Sequence, residues 1–353
     1  MKYAGLDYSK RFSVATIVDS RGKILKQRKL LNTREAFEMF FKDVKNTKAV
    51  VEAGRNWHVA VDLLEGLVNE IKLAHPLKVR AIAEAKIKTD EIDSEILAQL
   101  LRANLIPEAY LRPRDLREKQ MILRLRGFWI RQRVQLRNRI HTLIDAQNEE
   151  IREKAKSFAD LFGRSGRRWM EELNMDEISA SALHNLLEME VRVTEKIKQS
   201  DEEVKHLYEE DEDCKRIDTI PGFGIFLSTL TKIEVGDIGR FKSASDLCSY
   251  AGVIPSTYSS GGRTRHGRIT KQGNKFLRWA LVEAALHCGR ESSELKKFYL
   301  RIKRKKGTKV ARVATARKLC GILYRLLTQK DCYRNYFEHK KQSRLRFASS
   351  VPS

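Results

Sequence analysis

The chain has 353 residues, and its 69 Lys and Arg against 46 Asp and Glu give a net charge of +23. With 42% hydrophobic residues it is expected to fold into two or three domains rather than stay disordered. No run of 18 apolar residues and no signal peptide is recognisable, so we expect a cytoplasmic protein outside the membrane. The large positive charge favours nucleic acid as the partner.

The first 105 residues alternate between strand and helix patterns. Apolar alternation predicts three strands, then a helix, a strand, a helix, a short strand and a last helix, at 2–8, 12–19, 24–31, 33–44, 48–52, 57–71, 79–84 and from about 90. This order is typical of an RNase H-like (RuvC-like) α/β domain, which we place at residues 1–105.

Four acidic residues stand out in this basic chain. Asp7 and Glu52 each end an apolar run that reads as a strand. Asp90 and Asp93 are three residues apart in a helical segment and therefore share one face. Two strand ends and one helix face could bring four carboxylates to one point, which is how proteins hold Mg²⁺ or Mn²⁺ against a phosphodiester.

Residues 106–210 are expected to form a helical coiled-coil linker and dimerisation arm. A long helix is predicted from 113 to about 150 and a second one over 178–209, which together make an antiparallel pair. The first helix carries ten Arg and Lys and two acids between Arg112 and Arg139, so we expect a phosphate-facing surface that includes Arg124 and Arg131. Its apolar seam is predicted at Ile122, Leu125, Trp129, Leu136, Ile140 and Leu143.

A mainly helical third domain is expected over 211–330, followed by a basic, flexible tail over 331–353. The segment Ile217–Leu230 is read as a helix-hairpin-helix-like element, in which Gly222 and Gly224 would let backbone N–H groups approach a DNA phosphate. Farther along, a Ser-Ser-Gly-Gly turn at 259–262 precedes six cations. They are Arg263, Arg265, Arg268, Lys271, Lys275 and Arg278. Spacing alone leaves open whether Ser260 is a nucleophile or only a hydrogen-bond donor in a phosphate-binding loop.

The ordered set of motifs resembles the DEDD transposases of a bacterial insertion-sequence family, the bridge-RNA-guided recombinases. The matching pieces are Gly5-Leu-Asp7, Val51-Glu52-Ala53, Lys88-Thr-Asp-x-x-Asp93, Ile220-Pro-Gly-x-Gly224, Ala251-Gly-Val-x-Pro255 and Ser260-Gly-Gly through Lys271-x-Gly-Asn-Lys-x-Leu-Arg278. The resemblance spans roughly residues 2–330.

The resemblance implies a RuvC-like domain, a coiled-coil linker and a C-terminal transposase domain that carries a serine nucleophile. Asp7, Glu52, Asp90 and Asp93 would then be metal ligands as well as catalytic residues. Ser260 would attack the DNA backbone, because the family serine directly precedes the glycine. The resemblance also implies double-stranded DNA as substrate, a structured non-coding guide RNA, and a homodimer that assembles into a tetramer.

Two alternatives remain at this stage. A RuvC-type, metal-dependent junction-resolving nuclease would use the acidic site equally well, with water in place of serine as the attacking group. A nucleic-acid-binding protein with an inactive acidic site would bind with a steep salt dependence and cut nothing.

Overall fold

The computed structural model describes residues 1–83, 89–260, 263–269, 272–291 and 293–334, a few of them by their backbone alone. The chain divides into two compact units, Met1–Arg112 and Pro113–Ser353, each of which is described by itself. In the described ranges no helix is both long and apolar enough to cross a membrane.

The first unit is a six-stranded sheet with helices on both faces. Its strands are β1 (Lys2–Tyr8), β2 (Phe12–Val18), β3 (Ile24–Leu31), β4 (Thr47–Glu52), β5 (Glu70–Ala74) and β6 (Glu108–Ala109). Its helices are α1 (Arg34–Phe41), α2 (Trp57–Leu64), α3 (Pro76–Ile82) and α4 (Asp90–Arg102). The strand order is β3-β2-β1-β4-β5-β6, in which β4 runs parallel to β1 and β5 while the other pairs are antiparallel.

Alternating residues of the central strands feed two separate cores. Leu6 and Val51 pack with Phe37 on the face that α1 and α2 cover. Val50 and Ala74 pack with α4 residues on the opposite face. A strand buried on both faces reads as an almost continuous apolar run, which is the pattern of β2 and β4. The mixed α/β fold expected from the sequence is confirmed at this level.

The sequence prediction was wrong between residues 65 and 84. The predicted helix 57–71 ends at Leu64, because Gly66 has a φ of +76° and stops it, and residues 70–74 form β5 instead. The strand predicted at 79–84 is helix α3, which begins with Pro76 in the first turn, where proline is well tolerated. Residues 84–88 lie outside the described ranges.

In the second unit two long helices pack side by side. They are α5 (Arg114–Asp145) and α8 (Glu177–Glu209), and the short helices α6 (Glu149–Lys156) and α7 (Arg164–Glu171) connect them. Arg126 of α5 contacts Asp201 of α8, whereas Arg137 contacts Glu190 at 2.7 Å. Later residues of α5 thus contact earlier residues of α8, so the two helices run antiparallel. The predicted antiparallel pair is present.

The predicted seam on α5 is partly wrong. Ile140 is buried as expected, but the side chain of Leu125 is 45% exposed. Leu123 and Ile144, which lie beside the predicted stripe, are buried instead. The α6–α7 connection also adds apolar residues that a two-helix coil would lack, among them Leu161 and Met170.

The remainder of the second unit is mainly helical, as expected. Its elements are α9 (Glu212–Asp218), α10 (Gly224–Val235), a single 3₁₀ turn (Ile238–Arg240), α11 (Ala244–Ala251), β7 (Pro255–Ser260), β8 (Arg263–Ile269), α12 (Lys275–Glu291) and α13 (Ser293–Gln329). Strands β7 and β8 form an antiparallel hairpin of their own. The tail predicted as flexible lies outside the described residues from 335 onward.

Candidate active site

Asp7 and Glu52 lie at the ends of two adjacent parallel strands. The register of β1 and β4 pairs Leu6 with Val51, and each acid follows its strand's paired residue by one position. Because the two strands are parallel, these positions lie together at the carboxyl-terminal end of the sheet. The apolar residues before the acids hold the two strands in the core, so the acids are fixed at that end.

Helix α4 lies almost directly on β1 because residue 5 is glycine. A Cβ atom at Gly5 would lie 2.1 Å from the Ser94 carbonyl oxygen and 2.4 Å from the Ala98 nitrogen. Asp7, two residues along the strand, is on the same face as Gly5 and therefore faces α4. The first turn of α4 carries Asp90 and Asp93. Close packing at glycine thus brings the helix acids to Asp7.

A chain of hydrogen bonds fixes α4 across the three antiparallel strands. Residues 5, 16 and 27 lie side by side on β1, β2 and β3. The Gln27 amide donates to the Thr16 hydroxyl at 2.8 Å, and the Thr16 and Ser94 hydroxyls are 2.6 Å apart in the interior. The Ser94 hydroxyl donates to the Glu91 carbonyl at 2.8 Å. Thr16 and Ser94 are buried and paired with each other, and paired buried polar groups hold one geometry, so this chain of hydrogen bonds sets the position of the acidic turn.

The electrostatics of Asp7 show that the four acids interact. Burial raises the pKa of Asp7 from 3.8 to about 6, and the charges of Asp90, Asp93 and Glu52 contribute to the rise, as does a hydrogen bond with Asp90. Like charges near a carboxylate disfavour its ionised form. The acids that the sequence analysis selected from separate elements are therefore neighbours.

The donor set suits a hard divalent cation, because all four groups supply carboxylate oxygens and their repulsion is what such a cation would relieve. Within the described ranges, however, no three His, Cys, Asp or Glu side chains are arranged around one point at ligand distance. The chemistry of the acids fits a metal, and metal binding belongs to the proposal below.

Ser260 is the last residue of β7, where it pairs with Arg263 at the start of β8. The neighbouring Ser259 pairs with Thr264. The structure describes both serines by their backbone only, and Gly261 and Gly262 lie outside the described residues. The predicted serine position is thus the tip of a two-stranded hairpin.

Several motif residues next to this hairpin have a structural role. A Cβ atom at Gly252 would lie 2.4 Å from the Gln272 carbonyl oxygen, and one at Gly273 would lie 2.4 Å from the Tyr250 carbonyl oxygen. The backbone N–H of Asn274 donates to the Tyr250 carbonyl oxygen at 2.7 Å. The Asn274 side chain accepts from Phe276 N and Leu277 N at 3.0 Å, which caps α12. The chain segments before and after the hairpin are therefore in contact at its base, and we call this contact the clasp.

The sequence analysis missed Glu234, which lies at the centre of this clasp. Its side chain is fully buried on α10 and accepts hydrogen bonds from three side chains. The donors are Gln120 at 2.8 Å, Asn274 at 2.6 Å and Arg124 at 3.2 Å. A single acid inside the apolar sequence Ile-Glu-Val was a signal, because a buried carboxylate needs partners of this kind. Glu234 links α5, α10 and the base of the serine hairpin.

The predicted nucleic-acid contacts fall into three groups. Arg131, Arg265 and Lys275 are exposed and available. Arg124 is bonded to Glu234 and lies 4.3 Å from the Phe276 ring centroid, and Arg278 donates to the Ala251 carbonyl at 3.5 Å. The third group lacks described side chains and consists of Arg263, Arg268 and Lys271. A phosphate contact stays a prediction for all of them.

Gly222 and Gly224 differ in their surroundings. Both have positive φ, which favours glycine. A Cβ atom at Gly222 would lie 2.5 Å from the Ala284 carbonyl oxygen, so α12 fills the space beside Gly222. Among the described residues, nothing lies within 4 Å of the same position at Gly224. Packing explains the first glycine, and the proposed approach of a phosphate is open only beside the second.

Two family models match the chain, one in each half. The transposase model for DEDD proteins of the IS110 type matches residues 4–148, which include all four acids. The model described as the transposase IS116/IS110/IS902 family matches residues 214–300, which include the serine hairpin. The two matches occur in the order that the sequence resemblance predicts.

Two named relatives align over almost the whole chain, and a third aligns over about a third of it. A Sinorhizobium fredii protein named as a putative transposase is 28% identical over 87% of this chain and 79% of its own length. The transposase for insertion sequence element IS1111A of Coxiella burnetii is 25% identical over 95% of this chain and 92% of its own length. The pilin gene-inverting protein of Moraxella bovis is 36% identical over 31% of this chain and 35% of its own length. On these matches the chain belongs to the insertion-sequence DEDD transposase family.

Proposed function

We propose that this protein is a DNA transposase and site-specific recombinase that cuts and rejoins DNA through a covalent phosphoserine link at Ser260. The observation that carries the proposal is the set of four interacting carboxylates around Asp7, at the carboxyl-terminal ends of β1 and β4 in the six-stranded sheet. A binding protein gains nothing from placing four acids together in a chain of charge +23, because they repel the phosphates it would hold. The site therefore supports chemistry on a phosphodiester.

Asp7, Glu52, Asp90 and Asp93 are proposed to hold Mg²⁺ or Mn²⁺, which when bound polarises the scissile phosphate and neutralises charge in the transition state. The chain itself contributes the order of the site. Gly5 allows α4 to approach β1, and the Thr16–Ser94 hydrogen bond fixes the turn that carries the two helix acids. An ordered site needs little reorganisation when substrate binds, which lowers the barrier.

In the proposed reaction the Ser260 Oγ attacks the phosphorus of the scissile phosphodiester. The new bond joins Oγ to phosphorus, and the bond from phosphorus to one deoxyribose oxygen breaks. That oxygen leaves as a hydroxyl and gains the proton that the serine loses. The phosphoester link keeps the energy of the broken bond, so a DNA hydroxyl can reverse the step on a new strand without ATP. The clasp at Asn274 and Glu234 supports the hairpin that carries Ser260.

Rejoining distinguishes this proposal from the junction-resolving nuclease. The Moraxella bovis relative is named for inverting a pilin gene, and inversion requires that cut ends be joined again. Its likeness covers only a third of this chain, so it supports recombination without fixing the substrate. The guide RNA and the assembly of dimers into a tetramer enter the proposal through the family resemblance alone.

A covalent-adduct assay tests the proposal. The full chain is mixed with Mg²⁺, end-labelled DNA spanning the flanks of its own coding sequence and RNA transcribed from those flanks, then denatured and run on a gel. We expect a labelled protein band that requires Mg²⁺ and is absent for Ser260→Ala. Ser259→Ala is the matched control and should keep the band. DNA that is cut without any adduct would identify the nuclease, and an adduct lost only in Ser259→Ala would move the nucleophile by one residue.

A further inference from the structure

Helix α13 is a helical hairpin rather than one rod. Gly307 breaks it with φ of +80° and ψ of 170°. The Lys318 ammonium lies 4.5 Å from the centroid of the Phe298 ring. In an unbroken helix these two residues would be about 30 Å apart, given a rise of about 1.5 Å per residue. Leu295 is also buried in the same core as Leu319, so the two arms of α13 pack against each other.

The end of this hairpin, residues 301–309, carries a dense positive charge. Six cations lie within nine residues, and no Asp or Glu occurs from 295 to 330. All six are exposed, and in the described part of the chain none of them is ion-paired. The six are Arg301, Lys303, Arg304, Lys305, Lys306 and Lys309. We call this group the α13 tip.

Among the described residues, no acidic side chain forms an ion pair with the α13 tip. On α8, by contrast, lysines alternate with acids, and Lys205 lies 4.0 Å from Glu209. Uncompensated like charges at close spacing destabilise a helix unless a partner of opposite charge is bound. Arg301, Lys305 and Lys306 also line one small surface depression together with Ile302. Adjacent cations around a shallow depression fit the oxygens of a phosphate.

The composition of the tip indicates how it would recognise DNA. Four of the six cations are lysines, which bind phosphate as point charges, and the tip contains no Asn or Gln that could read an adenine edge. Contacts of this kind position DNA without selecting a sequence. The tip belongs to the same compact unit as the Ser260 hairpin, so an anchor here would hold duplex for the strand that is cut.

We propose that the α13 tip is an anchor for the phosphate backbone of duplex DNA, independent of base sequence. The proposal rests on the proposed function in so far as DNA is the substrate. It adds a contact surface just after residues 214–300, the segment that the second family model matches.

Fluorescence anisotropy with the full chain tests this anchor. The probe is a labelled DNA duplex of arbitrary sequence in buffer with EDTA, titrated at several salt concentrations. The test variant is Lys303→Gln/Lys305→Gln/Lys306→Gln. The control removes the same charge from α8 as Lys196→Gln/Lys198→Gln/Lys205→Gln. The slope of log K against log salt should fall by about 2.7 for the tip variant, at about 0.9 per lost phosphate contact, and stay unchanged for the control.

The outcomes separate the alternatives. Affinity for two unrelated duplexes should fall by the same factor, about 500-fold at 0.1 M salt if the two chains bind equally at about 1 M. Equal losses of duplex affinity in the tip variant and the control would overturn the anchor. The anchor would also be overturned if the tip variant lost affinity for a labelled structured RNA but not for the duplex. If the triple variant did not fold, Lys305→Gln alone should lower the slope by about 0.9. Ser260→Ala should bind duplex with the slope of the unmodified chain, so a failed adduct assay and a failed anchor are distinct results.

Discussion

Asp7→Asn is expected to stabilise the metal-free protein at neutral pH. Burial and the charges of Asp90, Asp93 and Glu52 raise the pKa of Asp7 from 3.8 to about 6. The folded state thus favours the protonated acid, and the corresponding stability is fully present below pH 3.8 and is lost as the pH rises through 6. A pKa change of this size corresponds to about 3 kcal/mol. Because Asp7 is only half-buried, solvent screening reduces the expected gain of the variant to about 1 to 2 kcal/mol.

Urea unfolding in EDTA at pH 7.5 and pH 4 measures this effect. The variant should be more stable than the unmodified chain at pH 7.5, and the two should differ little at pH 4. Asp19→Asn is the control, because backbone N–H donors from Lys23 and Arg21 lower the pKa of Asp19, so neutralising it should bring no gain. Added Mg²⁺ should reverse the order, because it stabilises the state that binds it, and the Asp7→Asn variant lacks one ligand charge. If Asp7→Asn gave no gain in EDTA at pH 7.5, the idea of four repelling carboxylates would be refuted.

Three further predictions concern residues that stabilise the fold of the two units. Gly5→Ala should cost about 3 kcal/mol, because its Cβ would meet the Ser94 carbonyl at 2.1 Å, whereas Gly54→Ala, with no atom closer than 4.0 Å, should stay within about 0.5 kcal/mol in the same urea assay. Glu234→Ala should cost about 3 kcal/mol by leaving Arg124 and Asn274 without their buried partner, and an equal result for the exposed Glu38→Ala would contradict this. Asp213→Asn should cost about 1 to 2 kcal/mol at pH 7. Burial raises the pKa of Asp213, but hydrogen bonds from Lys232 and Lys330 outweigh it and lower the pKa to about 2. The difference in stability between the variant and the unmodified chain should therefore vanish as the pH falls from 4 to 2, and a cost that is the same at pH 2 would contradict the ion-pair account.

The sequence predicted the parts of the fold that carry strong periodicity. The bounds of β1 and β3, the capping residue of α1 at Thr33 and the span of α8 agree with the structure within two residues. Each of these elements has a regular apolar pattern and a clear start or stop signal, so local chemistry and tertiary packing favour the same structure.

The errors arose where the signals were weaker. The segment Glu-Ile-Lys-Leu-Ala at 70–74 fits helix and strand alike, and its strand conformation depends on pairing with β4. Gly66 and Pro76 were the available local signals, and they mark the ends of the two misassigned elements. On α5 the predicted seam lies at Leu125 rather than at Leu123, because this part of the helix packs against α10 as well as α8, with Leu123 in one core with Val204 and Leu230.

The candidate site was predictable in its acids but not in its supports. Asp7, Glu52, Asp90 and Asp93 were visible as acids at strand ends and on one helix face in a basic chain. The contacts that place them involve residues with ordinary identities, such as Thr16 and Ser94, which are 78 positions apart in the sequence. Glu234 belongs to the same class, because its importance depends on partners from separate elements. Contacts between residues so far apart in the sequence can be identified only in the folded structure.

Mass spectrometry of the trapped protein–DNA adduct tests the central claim most directly. After nuclease and protease digestion, the peptide that spans 257–263 should carry a nucleotide mass on Ser260 when Mg²⁺ is present. The same adduct should be absent from Asp7→Asn, which retains the serine but lacks one proposed ligand. A nucleotide bound to any other residue, or DNA that is cut and rejoined while Ser260 stays unmodified throughout, would contradict the account.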